Sequence, residues 1–510
     1  MSVPGRSGRG ARGLHDSTIV PESLVACGSR HDTSPAEALR LVRSFDGPVL
    51  LDLDETLYLR NSTEDFIDTA WPGFAAYAVL RVVETVKPWR WIGGEATRDN
   101  WRIGTTMALF PWTMVLWRRR ARALSAEFAN ADLVDEARSR AGPLAIVTAG
   151  FRPVVLPLAA ELGLAGTPVV SARPFVPADR RTGKLHMALR DLGGPCVGAS
   201  LVVTDSVDDL PLLDRAARGA RTIWPAARYR PAFSAVYYPG RYLSSVKRPG
   251  TSYIRRNILQ DDFLIWILCS LPLAGAPVLH LAGLFLLLVS FWAVYEQGYV
   301  DNDLVGARHE DNPRLSAGFH RSELARRTAA PWLWAAICGL GGIALTLPPG
   351  GSFVQGAALW SAALAATYIV FLVFNRVDKA TRVWPFAALQ FARGAAFAAV
   401  LPAVPVAVAA IGAYVVEKWI PYFVYRLPGQ PVAPSRSGGG AAAVLEPWTL
   451  PLHTIRLVFF AILAALVAGI SGVQALLAWP TLALFGLMAF RARKELSALA
   501  GQASWIARRR

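Results

Sequence analysis

The sequence predicts two parts of different class: an α/β domain with a helical insertion, followed by an all-α polytopic membrane bundle of about eight helices. Three observations carry this. Apolar strand-type runs, Val49-Leu50-Leu51, Leu144-Ala145-Ile146-Val147 and Leu201-Val202-Val203, are separated by stretches long enough for helices. Charged and apolar residues are mixed as in a globular domain up to about Tyr242. From Phe263 onward long apolar runs alternate with short polar ones. With 510 residues, 53% of them hydrophobic and 18% charged, the chain is too long for one ordinary domain and too apolar for a wholly soluble protein.

The first stretch, to about Thr33, is rich in Arg, Gly and Ser and has no apolar h-region, so residues 1–35 are expected to form a disordered cytoplasmic tail. The α/β domain is expected over 36–242, with a cap at about 58–142. A linker over 243–262, a bundle over 263–490 and a basic cytoplasmic tail over 491–510 would complete the chain. Cys27, Cys196, Cys269 and Cys338 show no CxxC or Cys/His spacing, which leaves free thiols as the default. The formal charge is +16, but the arginines cluster beside apolar segments rather than along one soluble face, so nucleic acid is not an expected partner.

The chemistry of the first part begins at Asp52-Leu53-Asp54-Glu55-Thr56, where an apolar strand delivers two aspartates into the loop at its end. In a phosphate-handling site the first carboxylate can attack phosphorus and hold a metal, while the second protonates the leaving oxygen. Three later segments extend the set. A second strand ends in Thr148, Gly183-Lys184 offers a lone cation, and a third strand runs into Thr204-Asp205-Ser206-Val207-Asp208-Asp209. Four such segments in this order resemble the haloacid dehalogenase (HAD) superfamily over about Val49 to Trp224. The resemblance implies a Rossmann-like α/β HAD domain with a helical cap. It makes Asp52 the nucleophile that forms an aspartyl-phosphate and Asp54 the general acid/base. Thr148 and Lys184 would hold the phosphoryl oxygens, and Asp205 with Asp209 would join Asp52 and Asp54 around Mg²⁺. Asp208 competes with Asp209 for that role. Thr56 fits the DxDxT pattern of the superfamily's phosphatases and is expected near the substrate, and Thr204 stands where the family usually has glycine.

The cap stretches Trp71–Val83 and Thr105–Trp117 are too short to span a bilayer, yet they are rich in tryptophan and end in Arg118-Arg119-Arg120. Tryptophan and arginine at the edge of an apolar helix form an interfacial signature, so Trp71, Trp112 and Trp117 are expected at a lipid surface. The bland alternative is an ordinary cap core packed on the sheet.

Apolar runs of helix length suggest a hairpin from Phe263 to Gly298 and spans at about Pro331–Leu347, Phe353–Phe374, Trp384–Pro402, Pro405–Tyr425, Leu457–Ile470 and Val473–Phe490. Arginine and lysine fall in alternate connections, so the positive-inside rule predicts a multi-pass protein of the inner (plasma) membrane with both termini cytoplasmic. Near the cytoplasmic end of the second span, Glu296, Asp303 and Glu310 recur every seven residues, with Tyr295, Tyr299 and Asn302 nearby. Asn375, Arg376, Asp378, Lys379 and Arg382 form a further polar cluster, while Arg393 and Glu417-Lys418 fall within apolar spans. Ionisable groups at membrane depth are more often functional than decorative.

The segment around Asn302 resembles the first acidic motif of the UbiA superfamily of intramembrane prenyltransferases, NDxxDxxxD. Asn302 and Asp303 match, Glu310 replaces the last aspartate and Gly306 stands at the middle one. The resemblance implies that Asn302, Asp303 and Glu310 hold Mg²⁺ against an activated phosphate donor, with Tyr299, Arg308 and Arg314 contacting substrate. A second acidic motif is expected after the sixth span, but Arg426 to Pro451 carries only Glu446. Together these expectations describe a membrane-bound bifunctional enzyme, a Mg²⁺-dependent phosphatase fused to a prenyltransferase acting on an isoprenoid or other lipid-linked phosphate. One concrete version resembles the polyprenyl-phosphate phosphoribosyltransferases of the UbiA superfamily. The alternative keeps the phosphatase and makes the membrane half a non-catalytic, lipid-binding anchor.

Overall fold

The computed structural model describes residues 30–310, 313, 315–326, 328–348, 350–426 and 451–507, and the chain divides into two compact units between Ser234 and Ala235. Most of the expected N-terminal tail, Arg314 and nearly all of the stretch from Arg426 to Pro451 lie outside the described residues.

The first unit is built on five parallel strands in the order β3-β2-β1-β4-β5: β1 (Val49–Leu51), β2 (Leu144–Phe151), β3 (Val169–Ala172), β4 (Leu201–Thr204) and β5 (Arg218–Arg221). β1 is central and buried throughout, as its unbroken apolar run requires of a strand covered on both faces. Val49 pairs with Leu144 on one side and Leu201 on the other, so the sheet reverses its winding at β1. A ligand crevice forms beyond the carboxyl ends of strands at such a switch point. The helices Ser62–Asp68, Gly73–Val86, Arg98–Leu109, Thr113–Phe128 and Ala131–Ser139 fill the interval between β1 and β2. The expected helical insertion is therefore present.

Trp117 departs from its expected place. It is fully buried, packs edge-on against Phe66 at 5.8 Å and donates from its indole nitrogen to Val154 O at 2.9 Å. Trp71 and Trp112 are exposed. The insertion thus sends its tryptophans to two destinations, which a tryptophan count does not separate.

The second unit is helical. Among the described residues four helices are long and apolar enough to cross a bilayer: Pro277–His309, Phe353–Arg376, Ala407–Val424 and Leu452–Ser471. Ala330–Thr346 is apolar but has 17 residues. Val383–Ala395 has 13, and Leu264–Ser270, in the first half of the expected hairpin, has seven. The last expected span, Val473–Phe490, is divided between Gln474–Leu477 and the start of Trp479–Ala507, and this division with the three short helices separates the expected count of about eight from the four. Within 243–262, expected as a linker, Leu243–Lys247 and most of Ile254–Phe263 form wide π-type helical turns.

The core of this unit is aromatic. Trp266, Phe291, Trp292, Tyr295, Trp360, Phe371, Phe397 and Tyr414 are all buried in one cluster. Gly298 lets the Pro277–His309 and Phe353–Arg376 helices approach, since a Cβ there would overlap the Phe371 ring.

Candidate active site

The site in the first unit starts with the strand it hangs from. Immediately after Leu51, Asp52 donates its backbone N–H to Val203 O at 2.9 Å, which keeps the chain in register with β4 for one more residue. The chain then turns sharply. Glu55 adopts φ 57°, a left-handed conformation uncommon for a residue with a side chain, while Leu53 and Leu57 bury completely and fix the loop to the core. The loop is further held by Asn130, whose side chain donates to Thr56 O at 2.9 Å.

Asp52 is buried, and both of its oxygens are engaged. Oδ1 accepts the N–H of Leu53 at 2.7 Å, and Oδ2 accepts Lys184 Nζ at 2.5 Å and the Thr204 hydroxyl at 3.0 Å. Lys184 also reaches Asp209 Oδ2 at 2.7 Å, and Thr204 Oγ1 lies 2.5 Å from the same atom. Asp54 Oδ1 accepts the N–H of Ser62 at 2.6 Å, at the start of the first helix of the insertion. Thr56 donates to Asp205 Oδ1 at 3.3 Å. Thr148 is buried on the neighbouring strand, where its hydroxyl accepts the N–H of Gly150 at 3.0 Å. Asp209 is buried and Asp208 exposed, so Asp209 is the one turned into the site.

Lys184 reaches this centre because the helical stretch Pro177–Leu192 is broken at Gly183, with φ 80° and ψ 177°, a conformation open to glycine. Before the break, Arg180 donates to Ala149 O at 2.7 Å and pairs with Asp99 at 2.7 Å, joining the insertion to the end of β2. Arg102 on the same inserted helix grips Glu64 with two hydrogen bonds of 2.5 and 2.9 Å.

Burial raises Asp52 to about 7 despite Lys184, with Asp209 and Asp205 adding repulsion. It likewise raises Asp54 to about 6, against the hydrogen bond from Ser62, and Asp205 to about 6, with help from Glu55. Burial alone would lower Lys184, but the Asp52 and Asp209 carboxylates outweigh it and keep the ammonium charged. Four carboxylates thus share one ammonium. These are hard oxygens short of positive charge, the donor type that a divalent cation such as Mg²⁺ takes, although the side chains are not closed around one common point. Among the described residues no three Asp, Glu, His or Cys side chains are gathered closely enough to hold a metal, and Asp209 is engaged by Lys184 and Thr204.

Thr204 is the site residue that sequence reasoning left out of the functional set. The available signal was register: Leu51 pairs with Val203, so the next residue on β4 lies beside Asp52.

In the second unit, each acidic residue of the stripe has partners of its own. Glu296 accepts from Tyr237 Oη at 2.8 Å and from the N–H groups of Gly240 and Leu243 at 2.9 and 2.6 Å. Asp303 takes Tyr242 Oη at 2.8 Å and Lys247 Nζ at 2.5 Å. Glu310, just past the helix end, pairs with Arg382 at 2.9 Å and Lys379 at 3.2 Å. Asn302 donates to Asn375 Oδ1 at 2.9 Å. Tyr299 is half-buried against Tyr295 and Phe371, and Arg308 is exposed. A second buried set was only glimpsed in the sequence. Arg393 grips Asp262 at 3.1 Å, and Arg456 bridges Asp261 and Glu417 at 3.0 and 2.7 Å. Asp261, Asp262 and Arg456 had given no signal, because the segments carrying them are far apart in the chain.

No curated protein and no solved structure matches this chain. Residues 49–214, from the first residue of β1 to just beyond the last of the four chemical segments, match the family described as haloacid dehalogenase-like hydrolase, and this part of the chain is a HAD-like hydrolase domain.

Proposed function

We propose that the protein is a membrane-anchored, Mg²⁺-dependent phosphomonoesterase that works through an aspartyl-phosphate on Asp52. The observation that carries this reading is Asp52 itself, a buried carboxylate at the end of the central strand with Lys184 2.5 Å from one oxygen. Asp52, Asp205 and the loop of Asp54 would hold the magnesium, which when bound offsets the repulsion between carboxylate and phosphate. Lys184 and Thr148 bind phosphoryl oxygens, Asp52 attacks phosphorus, and Asp54, held up at about 6, gives its proton to the departing alkoxide. Deprotonated, Asp54 then takes a proton from the water that hydrolyses the acyl phosphate. The test uses the full-length protein in detergent with Mg²⁺ and a small phosphomonoester. Asp52→Asn should abolish turnover, and turnover retained in a folded variant overturns the assignment.

For the membrane unit we infer an anchor or lipid-binding platform, with both termini on the cytoplasmic side as the loop charges suggest. What supports this over a UbiA-like prenyltransferase is the pairing of Asp303 with Lys247 and of Glu310 with Lys379 and Arg382, which already balances the charge that a magnesium pyrophosphate would need. Lipid analysis of cells carrying Asp303→Ala tests it. An unchanged profile supports the anchor, and loss of a lipid product with phosphatase activity intact restores the transferase.

A further inference from the structure

The Gly73–Val86 helix is apolar on two sides. Ala76 and Leu80 are buried, while Phe74, Ala78, Val82 and Val86, spaced four residues apart along one slanting line, are exposed. A helix with apolar residues on opposite sides belongs inside a protein or against lipid, and this one has its outer line open. At about 1.5 Å per residue that line runs about 18 Å. Tryptophan marks both ends: Trp71 is 66% exposed just before the helix, and Trp91, with Ile92 beside it, is 75% exposed just after. Trp112 donates from its indole nitrogen to Trp71 O at 2.6 Å, which brings the start of the Thr113–Phe128 helix to the same end. That helix adds exposed Val115 and, one turn on, exposed Arg118 and Arg119.

We propose that this face of the insertion docks on the surface of the lipid bilayer, and that the phosphomonoester taken by Asp52 is an amphiphile whose phosphate lies at that surface. The substrate half of the inference rests on the phosphatase reading, whereas the docking half does not. The same chain supplies four helices able to cross a bilayer, so lipid is always within tethered reach of this face at high effective concentration, whereas another protein partner would have to be recruited. Aliphatic side chains sink into the acyl boundary, indole rings settle at headgroup level, and arginines meet anionic headgroups. All three kinds of residue are present, arranged as a line, its two ends and a rim.

The experiment uses the full-length protein with its native cysteines replaced, a nitroxide on Val82→Cys, and reconstitution into nanodiscs of phosphatidylcholine and phosphatidylglycerol. Docking predicts that the label is reached by dissolved oxygen and shielded from a water-soluble nickel chelate. Ready access for the chelate overturns the proposal, and so does shielding from both reagents, which would mean contact with protein, including a second copy of this chain. In parallel, Val82→Asp should leave hydrolysis of a small water-soluble ester unchanged and lower kcat/KM for a lipid phosphomonoester in the same discs by about tenfold or more. Equal rates for both esters in that variant overturn the substrate class. Absence of any hydrolysis by the unsubstituted protein overturns the phosphatase reading, while the nitroxide judges the docking alone.

Discussion

Lys184 Nζ lies 2.5 Å from Asp52 Oδ2 and 2.7 Å from Asp209 Oδ2, so one ammonium joins the end of the central strand to the segment after β4. The contact depends on the break at Gly183, without which a continuous helix would carry Lys184 elsewhere. Lys184→Met should therefore lower kcat/KM for a small phosphomonoester by about a hundredfold or more, since a buried cation facing an anionic transition state is lost. Steady-state kinetics at saturating Mg²⁺ checks this, and Lys184→Arg should recover only part of the loss.

The raised Asp54 sets a direction for the pH profile. Its charge is disfavoured by burial, so the carboxyl keeps its proton up to about 6 and can donate it to a leaving oxygen there. Mg²⁺ beside Asp52 would hold that carboxyl, itself raised to about 7 by burial, in the ionised form that attack needs. Above about 6 the protonated fraction of Asp54 falls tenfold per pH unit, and kcat for an alkyl phosphate should fall with it. A nitrophenyl phosphate, whose leaving group needs no proton, should lack this limb. Asp54→Asn should remove the limb and slow the alkyl ester far more than the aryl one.

Thr204 offers its hydroxyl to Asp52 at 3.0 Å and lies 2.5 Å from Asp209. Thr204→Val keeps the shape but removes the single hydroxyl proton that lies between two buried carboxylate oxygens, leaving Lys184 as their shared side-chain donor, at about 1–3 kcal/mol. The expected result is a drop in kcat of about tenfold or more, with Thr204→Ser close to the parent.

Trp117 and Trp71 should separate cleanly. Trp117→Ala removes a fully buried ring and its hydrogen bond to the carbonyl of Val154, a change of about 3–5 kcal/mol, and the temperature at which phosphatase activity is lost should fall by several degrees. Trp71→Ala, at an exposed position, should leave that temperature unchanged. Residual activity after timed heating measures both.

These contrasts show where the sequence was informative. Asp52, Asp54 and Lys184 were legible as candidates because each closes a short local pattern, a buried strand or a Gly-Lys turn, whereas the choice between Asp208 and Asp209 needed their burial. β1, β2 and β4 were likewise legible as apolar runs, whereas the edge strands β3 and β5 were not anticipated, β5 being Arg-Gly-Ala-Arg. What lay hidden was decided by contacts across the fold. Thr204 gains its role from sitting beside Asp52 on the next strand, and Trp117 is buried because its face of the helix meets Phe66 and Val154. In the second unit, no pattern around Asp303 points to Lys247, which lies 56 positions earlier, as the group that balances it.

The central claim is that Asp52 becomes phosphorylated during turnover. The most direct measurement incubates the full-length protein with Mg²⁺ and a phosphomonoester, quenches in acid to preserve the acyl phosphate, and locates the added phosphoryl group by peptide mass spectrometry. The account predicts the modification on the peptide carrying Asp52, its loss on treatment with hydroxylamine, and its absence from Asp52→Asn. Steady turnover with no phosphorylated peptide, or with the phosphoryl group on another residue, would contradict it.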